Sequence, residues 1–133
     1  MSDEIHLPPG LIGEASVTVT AENTAAALGS GSVNVFSTPA MIALMEAAAI
    51  NAVADHLPGG LTTVGISLNV KHMAATPIGM TVKARATLKL VEGRRLEFEI
   101  SAWDPLERIG EGTHERFIVD HARFEARVQK KAD

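Results

Sequence analysis

From Val33 to Ala54 the chain is apolar almost without interruption, and this stretch constrains everything around it. It is about as long as a membrane span. Yet it holds Asn34, Pro39, Glu46 and Asn51, and alanine supplies much of its apolar content. Alanine gains little on leaving water, so the stretch reads as a helix buried in protein rather than in lipid. Ser37-Thr38-Pro39 supplies a hydroxyl N-cap, with Thr38 as the capping residue and proline at the first helical position. Good helix formers run from Ala40 to His56, and Leu57-Pro58-Gly59-Gly60 stops the helix. A helix that is apolar on nearly every side must be wrapped by other elements.

The rest of the chain supplies the wrapping. Met1 to Leu11 reads as an irregular arm. Ala15, Val17, Val19 and Ala21 alternate with Ser16, Thr18 and Thr20, the pattern of a half-buried strand. Ala25 to Ser32, ending in Gly29-Ser30-Gly31-Ser32, reads as a flexible loop. After the helix, Thr62, Val64, Ile66, Leu68, Val70 and His72 share one face of a long strand that ends at Ala74 to Gly79. Met80, Val82, Ala84, Ala86, Leu88 and Leu90 make a second alternating run. Glu92-Gly93 turns into a third, with Leu96, Phe98, Ile100 and Ala102 opposite Glu97, Glu99 and Ser101. Asp104-Pro105 turns into the last strand, Glu107 to Asp120, and Ala122 to Lys131 reads as a short terminal helix.

No repeat or linker is visible, and 133 residues make one domain, 1–133. A strand, a long apolar helix and four antiparallel strands give an α+β domain in which a curved sheet wraps the helix. That is the hot-dog arrangement. So small a sheet leaves an edge strand and part of the helix uncovered, and a homodimer is the expectation.

Composition removes several classes of function. With 46% hydrophobic and 21% charged residues the chain can bury a core. Lys+Arg number 12 against 16 Asp+Glu, and a net charge of -4 argues against nucleic acid as a partner. The absence of cysteine excludes disulfides, zinc-thiolate sites and thiol nucleophiles. The acidic start Met1-Ser2-Asp3-Glu4, leading to Pro8-Pro9-Gly10, does not read as a secretory signal, so a cytoplasmic location without membrane attachment is expected.

Glu46 is the strongest chemical signal. It is the only charge between Glu22 and Asp55, set among Leu44-Met45 and Ala47-Ala48-Ala49. A carboxylate in a buried helix costs several kcal/mol unless paired, so it is either a structural partner or a reacting group. His72 closes the apolar face begun by Val64, where an imidazole is either a satisfied core residue or a proton carrier. Thr38 is explained by capping alone, although a helix N-terminus also suits an oxygen gaining charge. Gly29 to Ser32 lacks a phosphate-binding pattern, and His56, His114 and His121 lack metal-ligand spacing, so no metal is implied. Arg94-Arg95 and Lys130-Lys131 read as solvated surface, and the methionines as core filler.

Four spans carry a family resemblance: Leu44-Met45-Glu46, His72-Met73-Ala74-Ala75-Thr76-Pro77, Val91-Glu92-Gly93-Arg94-Arg95-Leu96 and Ile109-Gly110-Glu111-Gly112-Thr113-His114-Glu115-Arg116. In one register from about Phe36 to Lys131, the chain resembles the hot-dog thioesterases related to fluoroacetyl-CoA thioesterase. The resemblance implies hydrolysis of an acyl-CoA substrate to a free acid and CoA, without cofactor or metal. It implies catalytic roles for Thr38, Glu46 and His72, and substrate contacts from Gly65 and Arg116. In that family bulky aromatics before the helix lid the acyl pocket, and this chain has Gly29-Ser30-Gly31-Ser32 instead. The alternatives are a non-catalytic acyl-CoA or small-ligand binding module and a hot-dog enoyl-CoA hydratase, whose Asp-and-His pattern is not visible. Thr38 and Glu46 are eight positions apart, about 12 Å of rise and roughly 80° of rotation on a helix. Sites composed from two subunits are therefore expected.

Overall fold

The computed structural model describes residues 5–133, so the Met1–Glu4 start of the arm lies outside the described residues. Five strands, β1 (Ile12–Thr18), β2 (Leu61–His72), β3 (Thr81–Glu92), β4 (Arg95–Trp103) and β5 (Arg108–Asp120), form one antiparallel sheet. Their order is β1-β3-β4-β5-β2, which leaves β1 and β2 as edges. A one-turn helix α1 (Ala25–Leu28) precedes the long α2 (Thr38–Val53), and α3 (His121–Gln129) follows β5. No helix among the described residues is long and apolar enough to cross a membrane.

The alanines explain how α2 meets the sheet. Ala48, Ala49 and Ala52 are buried, as are Ala84 and Ala86 of β3. At Gly13 of β1 any Cβ would run into the backbone of Ala48 and Ala52. Small residues on both surfaces let helix and strands approach closely, and dense packing replaces side-chain bulk. Met41 and Met45 fill the space beneath, with Leu96, Phe98 and Ile100 of β4 inward as their alternation predicts.

Local differences from the sequence reading have local causes. Thr20 caps a 3-10 turn at Ala21–Asn23, so the first strand ends at Thr18 and Ala21 is not part of it. Part of the expected loop is α1, closed by Gly29 in the left-handed region at φ 69°. A register shift between Leu88 and Leu90 leaves Leu90 39% exposed, breaking the even-numbered run on β3.

Strand β2 departs furthest from its sequence pattern. Its pairing with β5 shifts register between Gly65 and Ser67, with Ile66 as the extra residue. A bulge changes the parity of every side chain beyond it. Thr62, Val64, Ile66 and His72 therefore do not share one face. Before the bulge the inward positions are Thr63 and Gly65, the latter opposite buried Arg116; beyond it they are Leu68, opposite buried His114, then Val70 and His72. Without the bulge, Gly65 and His72 would point to opposite sides of the sheet.

Candidate active site

The end of α2 holds the first group of side chains. Ser37, not Thr38, is the N-cap: its hydroxyl accepts from the Ala40 N–H at 3.1 Å, and its backbone is extended at ψ 151°. Ser37 is fully buried in this role. The adjacent Thr38 hydroxyl is thereby released from capping, and Thr38 Oγ1 lies 2.7 Å from His72 Nδ1. Burial lowers the basicity of the His72 imidazole, partly opposed by the Ala74 backbone, which favours the neutral ring. Among the described residues, His72 Nε2 is buried without a hydrogen-bond partner. Such an atom costs about 1–3 kcal/mol in stability, which is more readily explained at a functional position than in an ordinary core. Thr38 and His72 line a cavity of about 300 Å³ with Ser30, Val35, Phe36 and Met73.

The second group lies under the middle of the helix. The Glu46 side chain is 35% exposed, and its Oε2 lies 3.3 Å from Nη1 of Arg116. Arg116 is only 4% exposed. Its Nε donates to Thr63 Oγ1 at 2.8 Å and its Nη2 to the Thr63 carbonyl at 3.0 Å. Burial lowers the basicity of the guanidinium while the Glu46 charge supports it. The pair answers the cost of placing a carboxylate in this helix: each charge compensates the other. A Cβ on Gly65 would stand 2.8 Å from Glu46 Oε2, so glycine keeps that approach to the carboxylate clear.

His114 completes this group and is absent from the expected site. It is fully buried, with Nε2 3.1 Å from Arg116 Nη1 and 4.0 Å from Glu46 Oε2. A signal was available in the alternation of β5. Gly110, Gly112, His114 and Arg116 share the parity of buried Ile118, placing a histidine and an arginine on an inward face. Arg95, expected as solvated surface, is instead bound by Glu92, Glu97 and Glu115.

The structure thus joins Thr38 to His72, and Glu46 to Arg116 and Gly65, as two separate groups within one chain. Gly65 and His72 are seven positions apart on β2, roughly 20 Å along a strand.

Relatives of known kind resemble the chain over this whole region. A family model for fluoroacetyl-CoA-specific thioesterase matches residues 19–122. A fluoroacetyl-CoA thioesterase from Streptantibioticus cattleyicolor is 45% identical over 97 residues, covering 73% of this chain and 70% of that protein. A variant of a fluoroacetyl-CoA thioesterase solved with acetyl-CoA superposes with a TM-score of 0.89 at 36% identity, covering 96% of this chain and 100% of that one. A hot-dog-like protein from Thermanaerovibrio acidaminovorans gives a TM-score of 0.83 at 27% identity, covering 93% and 92%. The wrapped helix is the hot-dog fold, and because the matched span runs through both groups of polar side chains, the chain belongs to the fluoroacetyl-CoA-specific thioesterase family.

Proposed function

We infer that this chain hydrolyses acyl-CoA thioesters, and that Glu46 is the group that acts on the carbonyl carbon. The observation that carries the role is the setting of Glu46: a carboxylate beside a glycine, held through one oxygen by a buried guanidinium. Its second oxygen, Oε1, has no protein hydrogen bond among the described residues and is the one offered to water or to the thioester. Either Oε1 takes a proton from water as the water oxygen attacks, or it attacks directly and water then cleaves the acyl-enzyme. In both routes the C–S bond breaks, water supplies the oxygen of the free acid, and CoA leaves as a thiolate that takes up a proton. His72, its basicity lowered by burial and its Nδ1 within hydrogen-bond distance of the Thr38 hydroxyl, is suited to accept a proton during attack and return it to sulfur. The Thr38 hydroxyl, at the positive end of α2, polarises the thioester oxygen or fixes the imidazole.

The two groups act on one carbonyl if they come from different subunits. Strand β2 is a 12-residue edge on which Ile66 and Leu68 are 51% and 41% exposed. Such an edge is a template for a second strand, and a second copy is the occupant we propose. Antiparallel pairing of two β2 strands about a twofold at Asn69, with Ile66 of each strand bulged out of the ladder, sets Gly65 of one copy opposite His72 of the other. Opposed residues share a face, so Glu46 of one chain and the Thr38–His72 pair of the other line one cleft, twice per dimer.

Acyl selectivity follows from the segment before α2. The loop Gly29 to Ser32 is exposed and contributes Ser30 to the cavity above Thr38, with no aromatic side chain among its residues. We expect kcat/KM for fluoroacetyl-CoA and acetyl-CoA to agree within about tenfold, because a pocket without close packing around a small group discriminates weakly. Larger acyl groups should also be accepted. The test is thiol release from short, branched and aromatic acyl-CoAs; a large preference for the fluorinated substrate would mean that other residues supply the lid. No thiol release from any of them, with retained acyl-CoA binding, would point to a binding module instead.

Gly65 gives a separate check. In Gly65→Ala the new Cβ stands 2.8 Å from Glu46 Oε2 and 3.3 Å from both Arg116 Nη1 and His114 Cε1, and the nearest of these is the end of a long, partly exposed side chain that can yield. The fold should survive and the carboxylate should move. We expect turnover to fall by roughly 10–100-fold, as for other misplacements near 1 Å, with a melting midpoint close to wild type. Unchanged turnover would show that the exact position of Glu46 does not matter.

A further inference from the structure

His114 has no role in the reaction described above, yet its surroundings are built around it. Its Nδ1 lies 2.8 Å from the Ser67 carbonyl oxygen. A carbonyl only accepts, so Nδ1 carries the proton, and Nε2 of the neutral ring presents a lone pair. That lone pair meets Arg116 Nη1 at 3.1 Å, and the same Nη1 lies 3.3 Å from Glu46 Oε2. Nη1 has two hydrogens, and among the described residues these are its two acceptors. Burial holds the ring below its ordinary basicity; the Ser67 carbonyl opposes this, the Arg116 cation adds to it and Glu46 opposes it. Ser67 follows the Ile66 bulge directly, and Phe98 flanks the ring with centroids 6.2 Å apart.

We propose that His114 is a positioning residue: its neutral ring, anchored on the Ser67 carbonyl, aims Nη1 of Arg116 at Glu46 and so fixes the carboxylate beside Gly65. Thr63 holds the guanidinium from its other side, but both of its bonds go to Nε and Nη2. His114 is the protein acceptor on Nη1 besides Glu46 itself. The bulge acquires a second use in this account, since it supplies the carbonyl that selects the tautomer. The proposal rests on the reading of Glu46 as the reacting carboxylate.

Two substitutions separate positioning from packing. His114→Gln keeps a side-chain acceptor for Arg116, whereas His114→Leu fills the space with none. We expect His114→Leu to lower kcat by roughly 10–100-fold with KM within about twofold. His114→Gln should recover most of that loss, even if it melts at a lower temperature than the leucine variant. Equal kcat in the two variants, or kcat that simply follows the melting temperature, would overturn the proposal. Long-range 1H–15N correlation on the unmodified protein gives a readout independent of variant folding. It should show Nδ1 protonated and Nε2 unprotonated near pH 7, and the opposite tautomer or a charged ring would also overturn it. Glu46→Gln run alongside keeps the two readings distinct. Wild-type turnover in that variant removes the role of Glu46 and the proposal with it; a dead Glu46→Gln with His114→Leu as active as wild type removes only the proposal.

Discussion

Glu46→Gln is expected to lower kcat for thiol release by about 10²–10⁴-fold, the usual contribution of a positioned acid–base group. The substitution is nearly isosteric, and the amide carbonyl can still accept from Arg116 Nη1, 3.3 Å away in the native protein. What is lost is the charge, and with it the ability to take a proton or attack carbon. Breaking a fully buried ion pair costs several kcal/mol. Here the Glu46 side chain is 35% exposed, so solvent screens the pair and the cost should be nearer 1 kcal/mol. A shift of a few degrees in the melting midpoint is the corresponding expectation. Release of CoA thiol and a thermal melt on the same preparation check both halves. A folded variant with near wild-type turnover would remove Glu46 from the chemistry.

The position of Glu46 was legible because the sequence around it is so uniform. A single carboxylate among alanines, leucine and methionine has to be compensated, and the structure compensates it with Arg116. The helix was legible from its continuous apolar run between a hydroxyl cap and a Pro-Gly stop, and the strands from their alternation. The bulge was not. Val64, Ile66, Leu68 and Val70 make an even-numbered apolar run, so nothing in the letters marks Ile66 as the residue where parity changes. Only the pairing with β5 reveals it. The choice between Ser37 and Thr38 as cap was hidden by a different circumstance. Two adjacent hydroxyls offer the same chemistry, and the backbone conformation at Ser37 decides between them. That small difference matters, because it frees Thr38 to meet His72. His114 shows no metal-ligand spacing, and that spacing says nothing of a role within the core. Its alternation with Arg116 toward the core was the informative feature.

Mixing two inactive variants should restore activity if the sites are composite. His72→Ala removes the group at the end of β2, and Glu46→Gln removes the group under the helix; the native contacts place these residues in separate clusters within one chain. In a heterodimer built about the β2 edge, one cleft receives both wild-type residues and the other receives both defects. Random exchange at equal concentrations makes about half the dimers mixed, so activity should return to about a quarter of the wild-type value per subunit. Each variant alone should stay near background, because every one of its clefts carries the same lesion. Subunits exchanged by mild denaturant and refolding, then assayed for thiol release at constant total protein, give the measurement. If each cleft drew Glu46 and His72 from the same chain, every cleft in the mixture would remain defective and nothing would return. Sedimentation of the fully active protein as a monomer would exclude shared sites altogether, since β2 would then have no second copy to bring His72 opposite Gly65.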